Sequence, residues 1–559
     1  MRKVKWKNVF LLLGSGFLLG FCCYFVGQSF PRTEVGYLKA DTPQVSVYDE
    51  NGNEQQTLVR GRKVAYDKKD PIQKDDEPCY RATIDDKTVY IKESNLASRL
   101  GDVVLEQEVY VRTANHLMDK NLDGSILTLV EKGTKIPVTG YHLLQEDGTV
   151  DYYETNIDGQ TGYFASKYTV MTEADAIKNY DEENTYQIHA NRGNVYGGGS
   201  ASNLDYYPVT KPKFANNVMP DEVRALYLNG SKSVMANVDE YIAFAKETNI
   251  NAFVVDIKDE GAPCFQSEVM KEVSPTNYSH AFQSKEEYKN AVQKLKDAGF
   301  YVIGRITTFK DSYYAQDHPE DAILDTRSNQ PYYLANSYWP SAYSRDVWKF
   351  NVDLAKEAVT DIGFNEIQFD YVRFPDRTIT IEKKGWMDFR NTYNEEKAQA
   401  VQRFLMYATD ELHKLNVYVS ADVFGESAHT YVTAYGQYFP AISNVVDVIS
   451  AMPYPDHFGT YEYGFKVPVW TVPYDIMNYW GKNYVMKRQS EIPTPAITRT
   501  WIQAYDSIKK PKVTYGSNEV MKEIQGLYDA GLTGGYMTWN SGSNLNKYKE
   551  QKAAYQKEY

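Results

Sequence analysis

From Glu222 to about Asn540 the chain alternates short, continuously apolar runs with amphipathic ones, and this alternation restricts the fold more than any other feature. Strands are expected over 223–229, 252–258, 301–306, 366–372, 417–424, 445–454, 497–505 and 534–540. Runs that are apolar on both faces suit parallel strands covered by helices. Between them lie segments with apolar residues at helical spacing. VDEYIAFAKET is one, a second ends at Gly299, and a third runs from the N-cap Ser344 to Gly363. Eight strand–helix units in roughly 320 residues match an α/β chain folded as a (β/α)8 TIM barrel. A doubly wound open sheet is the alternative, but no glycine-rich phosphate turn follows the first strand.

The residues before the barrel read differently. Stretches 42–98 and 103–171 hold short β-branched and aromatic strands (VSVY, VYIKESNL, VYVRT, GYFASKYTV) between Gly, Asp and Asn turns, which suggests two small all-β barrels. Residues 30–41 read as a spacer, and 172–220, with GGGSASN, Pro208 and Pro212, as a linker. At the N-terminus, Arg2, Lys3, Lys5 and Lys7 precede an apolar run from Val9 to Val26. That pattern predicts a membrane anchor over 1–30, its basic end in the cytoplasm and the remainder of the chain outside; a cleaved signal peptide is the alternative.

Composition narrows the partners. With 61 Lys+Arg against 74 Asp+Glu the net charge is -13, which disfavours nucleic acid. The four Cys form neither a disulfide framework nor a zinc motif, and the eight His include no H-E-x-x-H pair, so no metal or cofactor is expected. Cys264 has no His neighbour in sequence and reads as inert. So few Cys in an extracellular chain suit a Gram-positive cell surface. The 48 Tyr against 23 Phe suit stacking on sugar rings and hydrogen bonding to them.

In a (β/α)8 barrel the reactive groups sit at the C-terminal ends of the strands. Asp256, Lys258, Asp259 and Glu260 fall there after the second strand, and Arg305, Lys310 and Asp311 after the third. Gln368, Asp370, Tyr371 and Arg373 follow the fourth, Asp422 and Glu426 the fifth, and Tyr454, Asp456 and His457 the sixth. Arg499, Trp501 and Gln503 belong to the seventh, Trp539 and Asn540 to the eighth. Carboxylates, cations and aromatics without a nucleophilic Ser or Cys fit glycosidic hydrolysis. That reaction takes two carboxylates about 5–5.5 Å apart for retention or about 6.5–9.5 Å for inversion.

Asp370 ends an apolar strand where a charge has no packing use, and Arg373 is its expected ion-pair partner; alternatively an Asp–Arg pair closes the barrel top. Asp422 is the candidate acid/base and Glu426 its rival, although either can instead cap a helix or order a loop. The expected substrate contacts are Asp256, Lys258, Arg305, Gln368, Tyr371, Arg373, Tyr454, Trp501, Gln503, Trp539 and Asn540. Asp256 with Lys258 or Arg305 serves equally well as a structural ion network. The insertion 307–343, with Tyr313, Tyr314, His318, Tyr332, Tyr333 and Trp339, is expected to build subsites.

The stretch YSRDVWKFNVDLAKEAVTDIGFNEIQFDYVRFP (343–375), with FVVDIKDEG (253–261), RTWIQAY (499–505) and LYDAGLTGGYMTWN (527–540), resembles a family of glycoside hydrolases with an alpha-amylase-like barrel found in Firmicutes. Residues 42–171 resemble a tandem pair of bacterial SH3-like modules of cell-wall enzymes. These resemblances imply a (β/α)8 domain over 222–545, a polysaccharide or cell-wall glycan as substrate, and wall binding by the modules. They also imply Asp370 as nucleophile and Asp422 or Glu426 as acid/base. The sequence departs from amylases in having Gln368 where they place Arg, Asp422 where they place Glu, and no His–Asp pair after the seventh strand. Two functions therefore compete: an anchored extracellular glycosidase, and a non-catalytic wall-binding or scaffolding protein. A metal-dependent deacetylase would need clustered His and Asp.

Overall fold

Antiparallel alternation builds the first part of the chain and parallel, doubly covered strands the second. A computed structural model describes residues 33–40, 44–99, 102–103, 108–142 and 150–559. The anchor expected over 1–30 lies outside the described residues; among those described, no helix is long and apolar enough to cross a membrane. The chain divides into two units between Ile177 and Lys178.

In the first unit, seven antiparallel strands between Glu34 and Ala97 form one sheet. Val45 and Val47, then Val89 and Ile91, alternate into a core shared with Leu38 and Val64. The strand Glu34–Leu38 pairs with Lys63–Lys74 and with Leu96–Ala97, so part of the stretch read as a spacer belongs to this sheet. A five-stranded and a three-stranded antiparallel sheet follow between residues 108 and 170, with Val109, Val111, Leu117, Ile136 and Phe164 buried.

The second unit starts at Lys178, so most of the expected linker is not one. Its Leu204 and Tyr206 pack with Ala398, Tyr438 and Ile492, and Arg192 pairs with Glu491 at 2.7 Å. The three glycines that suggested a flexible spacer permit close approach instead. A Cβ on Gly198 would stand 1.8 Å from the Thr433 carbonyl oxygen, and Gly199, at φ +127°, lies against Glu396.

Eight strands then form the wall of a barrel: β1 Val223–Leu228, β2 Ala252–Asp259, β3 Tyr301–Thr307, β4 Glu366–Asp370, β5 Tyr418–Phe424, β6 Val448–Met452, β7 and β8 Gly535–Trp539. β7 comes in two pieces, Ile497–Thr498 and Thr500–Gln503. Neighbours pair in parallel from β1 through β6, β8 pairs with β1, the first piece of β7 with β6 and the second with β8. The two ends of the hydrogen-bonded order are thus halves of one strand joined at Arg499. Nine parallel strand segments therefore make a nearly closed barrel, consistent with a TIM barrel, and the open-sheet alternative is set aside.

Local chemistry sets the helix ends. The helix Lys285–Asp297 opens on a Ser284/Glu287 capping box, and the chain leaves it through Gly299 at φ +92°. The helix Arg345–Glu357 opens on Ser344 as its cap and continues as a wider turn to Ile362 before Gly363 reverses it at φ +97°. Inside the barrel, polar layers stack along the axis. At the floor, Arg499 pairs with Glu366 at 2.7 Å, both fully buried, so Arg499 does not belong to the mouth.

Candidate active site

The mouth is organised by one guanidinium. Arg305, near the end of β3, pairs in register with Asp256 of β2 and Gln368 of β4. Its Nη1 donates to Asp256 Oδ1 at 2.7 Å and to Asp259 Oδ1 at 3.3 Å. Nη2 and Nε donate to Asp370 Oδ2 at 2.6 Å and 3.1 Å, and Nε stands 3.8 Å from Asp422 Oδ2. Four carboxylates thus surround one cation. Its flat face also lies against Trp539, 5.4 Å from the ring centre.

These carboxyls differ in environment. Asp256 is fully buried and accepts a short hydrogen bond from the Tyr227 hydroxyl; burial, opposed by Arg305, pushes its carboxyl up to about 7. Burial also raises Asp259, but the Arg305 charge and hydrogen bonds from the Glu260 amide and Thr307 hold it below its ordinary value. Asp422 has no exposure at all. It accepts from Trp501 Nε1 at 2.8 Å through Oδ1, and Oδ2 has no hydrogen-bond partner among the described residues. Burial, and then the neighbouring charge of Asp370, raise its carboxyl well above the usual range, against the lowering effect of Arg305. Asp370 is 5 % exposed, which lets it reach a cavity of about 190 Å³.

Asp259, Glu260, Arg305, Asp370, Tyr371, Arg373, Phe424, Met452, Tyr454, His457, Trp501 and Trp539 line that cavity. Tyr371 sits at φ +49°, a left-handed conformation costly for an aromatic residue. In that conformation its N–H donates to Asp370 Oδ1 at 2.6 Å. Both oxygens of Asp370 are therefore held, one by Arg305 and one by the backbone. Asp370 and Asp422 both approach Arg305 Nε, at 3.1 Å and 3.8 Å, so their nearest oxygens are less than about 7 Å apart.

Residues 225–546, more than half of the chain, match the family described as "Putative glycosyl hydrolase domain". The chain belongs to this family. No curated protein matches it. Among solved structures it is similar to a hypothetical protein from Ruminiclostridium thermocellum ATCC 27405, at 33 % identity over 35 % of this chain and 97 % of that one, with a TM-score of 0.30. The glycoside hydrolase domain of PgaB (BpsB) from Bordetella bronchiseptica is 13 % identical over 61 % of this chain and 98 % of that one, with a TM-score of 0.43. A glycoside hydrolase family 20 β-N-acetylglucosaminidase is 12 % identical over 61 % and 70 %, with a TM-score of 0.38.

Within this glycosyl hydrolase domain, the structure gathers Arg305, Asp370, Tyr371, Arg373, Tyr454, Trp501 and Trp539 at the cavity. Others expected there lie elsewhere. Asp422 and Asp256 sit outside the lining, fully buried around Arg305. Lys258 points away and pairs with Asp311 at 2.6 Å, because the β2–β3 register shifts between Asp256 and Lys258. A bulge there breaks the alternation that would put both on one face. Gln368 belongs to a buried layer and donates to Ser450 Oγ at 3.3 Å. Gln503 Oε1 accepts the Asp456 N–H and Asn540 binds the Asn544 backbone, so each orders a loop. Glu426 lines an adjoining groove.

Arg373 does not pair with Asp370; its Nη1 bonds the Phe374 carbonyl and its planar head lies over Tyr371, Phe424 and Trp339. The insertion residue Trp339 is buried behind Tyr371 and props the wall without lining it. Sequence reasoning did not single out Tyr227, the partner of Asp256. Its place near the end of an apolar strand is the signal the sequence offers.

Proposed function

We propose that the protein is a glycoside hydrolase of the cell surface that acts on a cell-wall polysaccharide, with Asp370 as nucleophile. The observation carrying this reading is the pair Asp370 and Asp422 at one guanidinium, the first ion-paired and open to a cavity, the second fully buried with its carboxyl raised well above the usual range. Environments that push two carboxyls apart in acidity are how one site supplies both an acid and a nucleophile. In this scheme Asp370 attacks the anomeric carbon, Asp422 gives its proton to the leaving oxygen, and a glycosyl ester forms on Asp370. Water then adds at the same carbon, Asp422 takes up its proton, and the ester breaks with net retention. Glu426 is the second candidate for the acid, because it is exposed where Asp422 is sealed. The basic, then apolar, N-terminus supports anchoring to the membrane with the barrel outside, and the three antiparallel sheets of the first unit support SH3-like modules that hold the glycan.

A non-catalytic glycan-binding role has one observation in its favour: both oxygens of Asp370 are already engaged. Incubating the protein with purified wall polysaccharides and weighing released fragments by mass spectrometry separates the two. Fragments from wild type and none from Asp370→Asn support hydrolysis; binding without release from either leaves the binding role.

A further inference from the structure

The cavity has a larger neighbour. A groove of about 770 Å³ adjoins it and shares the wall residues Phe424, Met452, Tyr454 and His457. That volume falls in the range of roughly 300–1,000 Å³ that encloses ligands far larger than one ring. Tyr196 and Tyr431 meet edge to face at 4.7 Å on its rim, with Tyr196 44 % exposed. Tyr463 lines it as well, stacked on Tyr484 at 4.7 Å. Tyr463 also sits at φ +55°, strained for an aromatic residue, and its hydroxyl has no protein partner among the described residues, so no side-chain hydrogen bond offsets the strain. The hydroxyl is buried, so Tyr463 offers the groove its ring and not its hydroxyl.

The lining carries three carboxylates, Asp376, Glu426 and Glu462, against one arginine, Arg377, which stands 3.5 Å from Asp376. Glu426 accepts from the Tyr431 and Tyr435 hydroxyls at 3.1 Å and 3.0 Å, which fixes the ring edges, and it has no cation beside it among the described residues. Glu462 accepts only the Gly459 N–H in this groove. Uncompensated carboxylates repel phosphate or uronate chains. Flat rings with hydrogen-bonding edges suit uncharged pyranose rings.

Resting on the hydrolase reading for the cavity, we propose that this groove is a row of subsites for an uncharged glycan chain, so that the barrel cuts within chains and not from their ends. The test measures binding of the hexaoses and disaccharides of N-acetylglucosamine, of α-1,4-linked glucose and of β-1,4-linked glucose by calorimetry, alongside oligogalacturonate. At least one hexaose is expected to bind ten-fold or more tightly than its disaccharide, with oligogalacturonate weaker. Tyr196→Ala and Tyr431→Ala are each expected to weaken that hexaose ten-fold or more; Tyr196 is exposed, so its variant keeps the fold. Hexaoses that bind no better than disaccharides, or tyrosine variants that bind like wild type, overturn the subsites. On any polysaccharide that wild type hydrolyses, internal fragments are expected as first products; release of terminal single sugars alone overturns internal cutting. Chain-length-dependent binding without hydrolysis supports the groove and removes only the catalytic reading.

Discussion

Arg305 donates twice to one oxygen of Asp370, through Nη2 at 2.6 Å and Nε at 3.1 Å, while its Nη1 holds Asp256 at 2.7 Å. One cation therefore keeps several buried carboxyls from facing each other unscreened. Arg305→Met is expected to destabilise the barrel by roughly 3–5 kcal/mol, the range for breaking a buried ion pair on one side. Arg305→Lys should lose less, since its charge remains but its single ammonium cannot serve both partners. Urea unfolding followed by tryptophan fluorescence measures both. A wild-type midpoint for Arg305→Met would mean that the carboxyls are held by other means.

Asp370→Asn keeps the shape of the side chain and an oxygen for Arg305, but an amide cannot form a glycosyl ester. Hydrolysis is expected to fall by at least about 1,000-fold, or ~4 kcal/mol of barrier, with thermal unfolding close to wild type. Turnover within ten-fold of wild type would take Asp370 out of the mechanism.

The eight barrel strands were legible because doubly covered strands must be apolar on both faces, and Asp370 was legible because its charge interrupts such a strand. Its true partner was not. Arg373 is nearer in sequence, but Tyr371 turns left-handed at φ +49° and carries the following residues away, so the guanidinium comes from β3. Lys258 was misplaced for a similar reason: one extra residue in β2 shifts the period of two, and no residue type announces it. The linker reading failed at Gly198 and Gly199, because glycine marks close approach as well as flexibility.

The raised carboxyl of Asp422 has a pH signature. Burial and the charge of Asp370 raise its folded value, whereas in the unfolded chain it titrates near the model value of 3.8. Above that pH the folded chain binds more protons than the unfolded one, so this group's contribution to stability is present below the unfolded value and lost as pH rises through the folded one. Asp422→Asn mimics the neutral acid and removes that loss. Its melting temperature, relative to wild type, is expected to rise as the pH goes from 4 toward neutral. If Asp422 is also the proton donor, the variant should lose more rate on a glycan than on an aryl glycoside, whose leaving group needs no proton. A melting difference that stays flat with pH would show Asp422 already ionised in the fold. If Glu426→Gln shows that substrate-dependent loss and Asp422→Asn does not, the acid role moves to Glu426.

His189 works in the opposite direction and tests the segment once read as a linker. Its ring stacks on Tyr206 at 4.0 Å, and Nδ1 meets the Tyr438 hydroxyl at 2.7 Å. Burial, and then the charge of Arg192, lower its pKa from 6.5 to about 4. Between those values the unfolded chain binds the proton and the folded chain does not, so stability rises with pH. The contribution is complete above 6.5 and lost as pH falls toward 4, amounting to about 3 kcal/mol. His189→Gln is expected to lower stability at pH 7 while losing markedly less than wild type between pH 7 and 4.5, read by urea midpoints at both. An equal acid loss in the two proteins would place the titration elsewhere. A wild-type midpoint at both pH values would mean that this segment does not share the barrel's unfolding, and the packing of Leu204 and Tyr206 against Tyr438 would then add nothing to it.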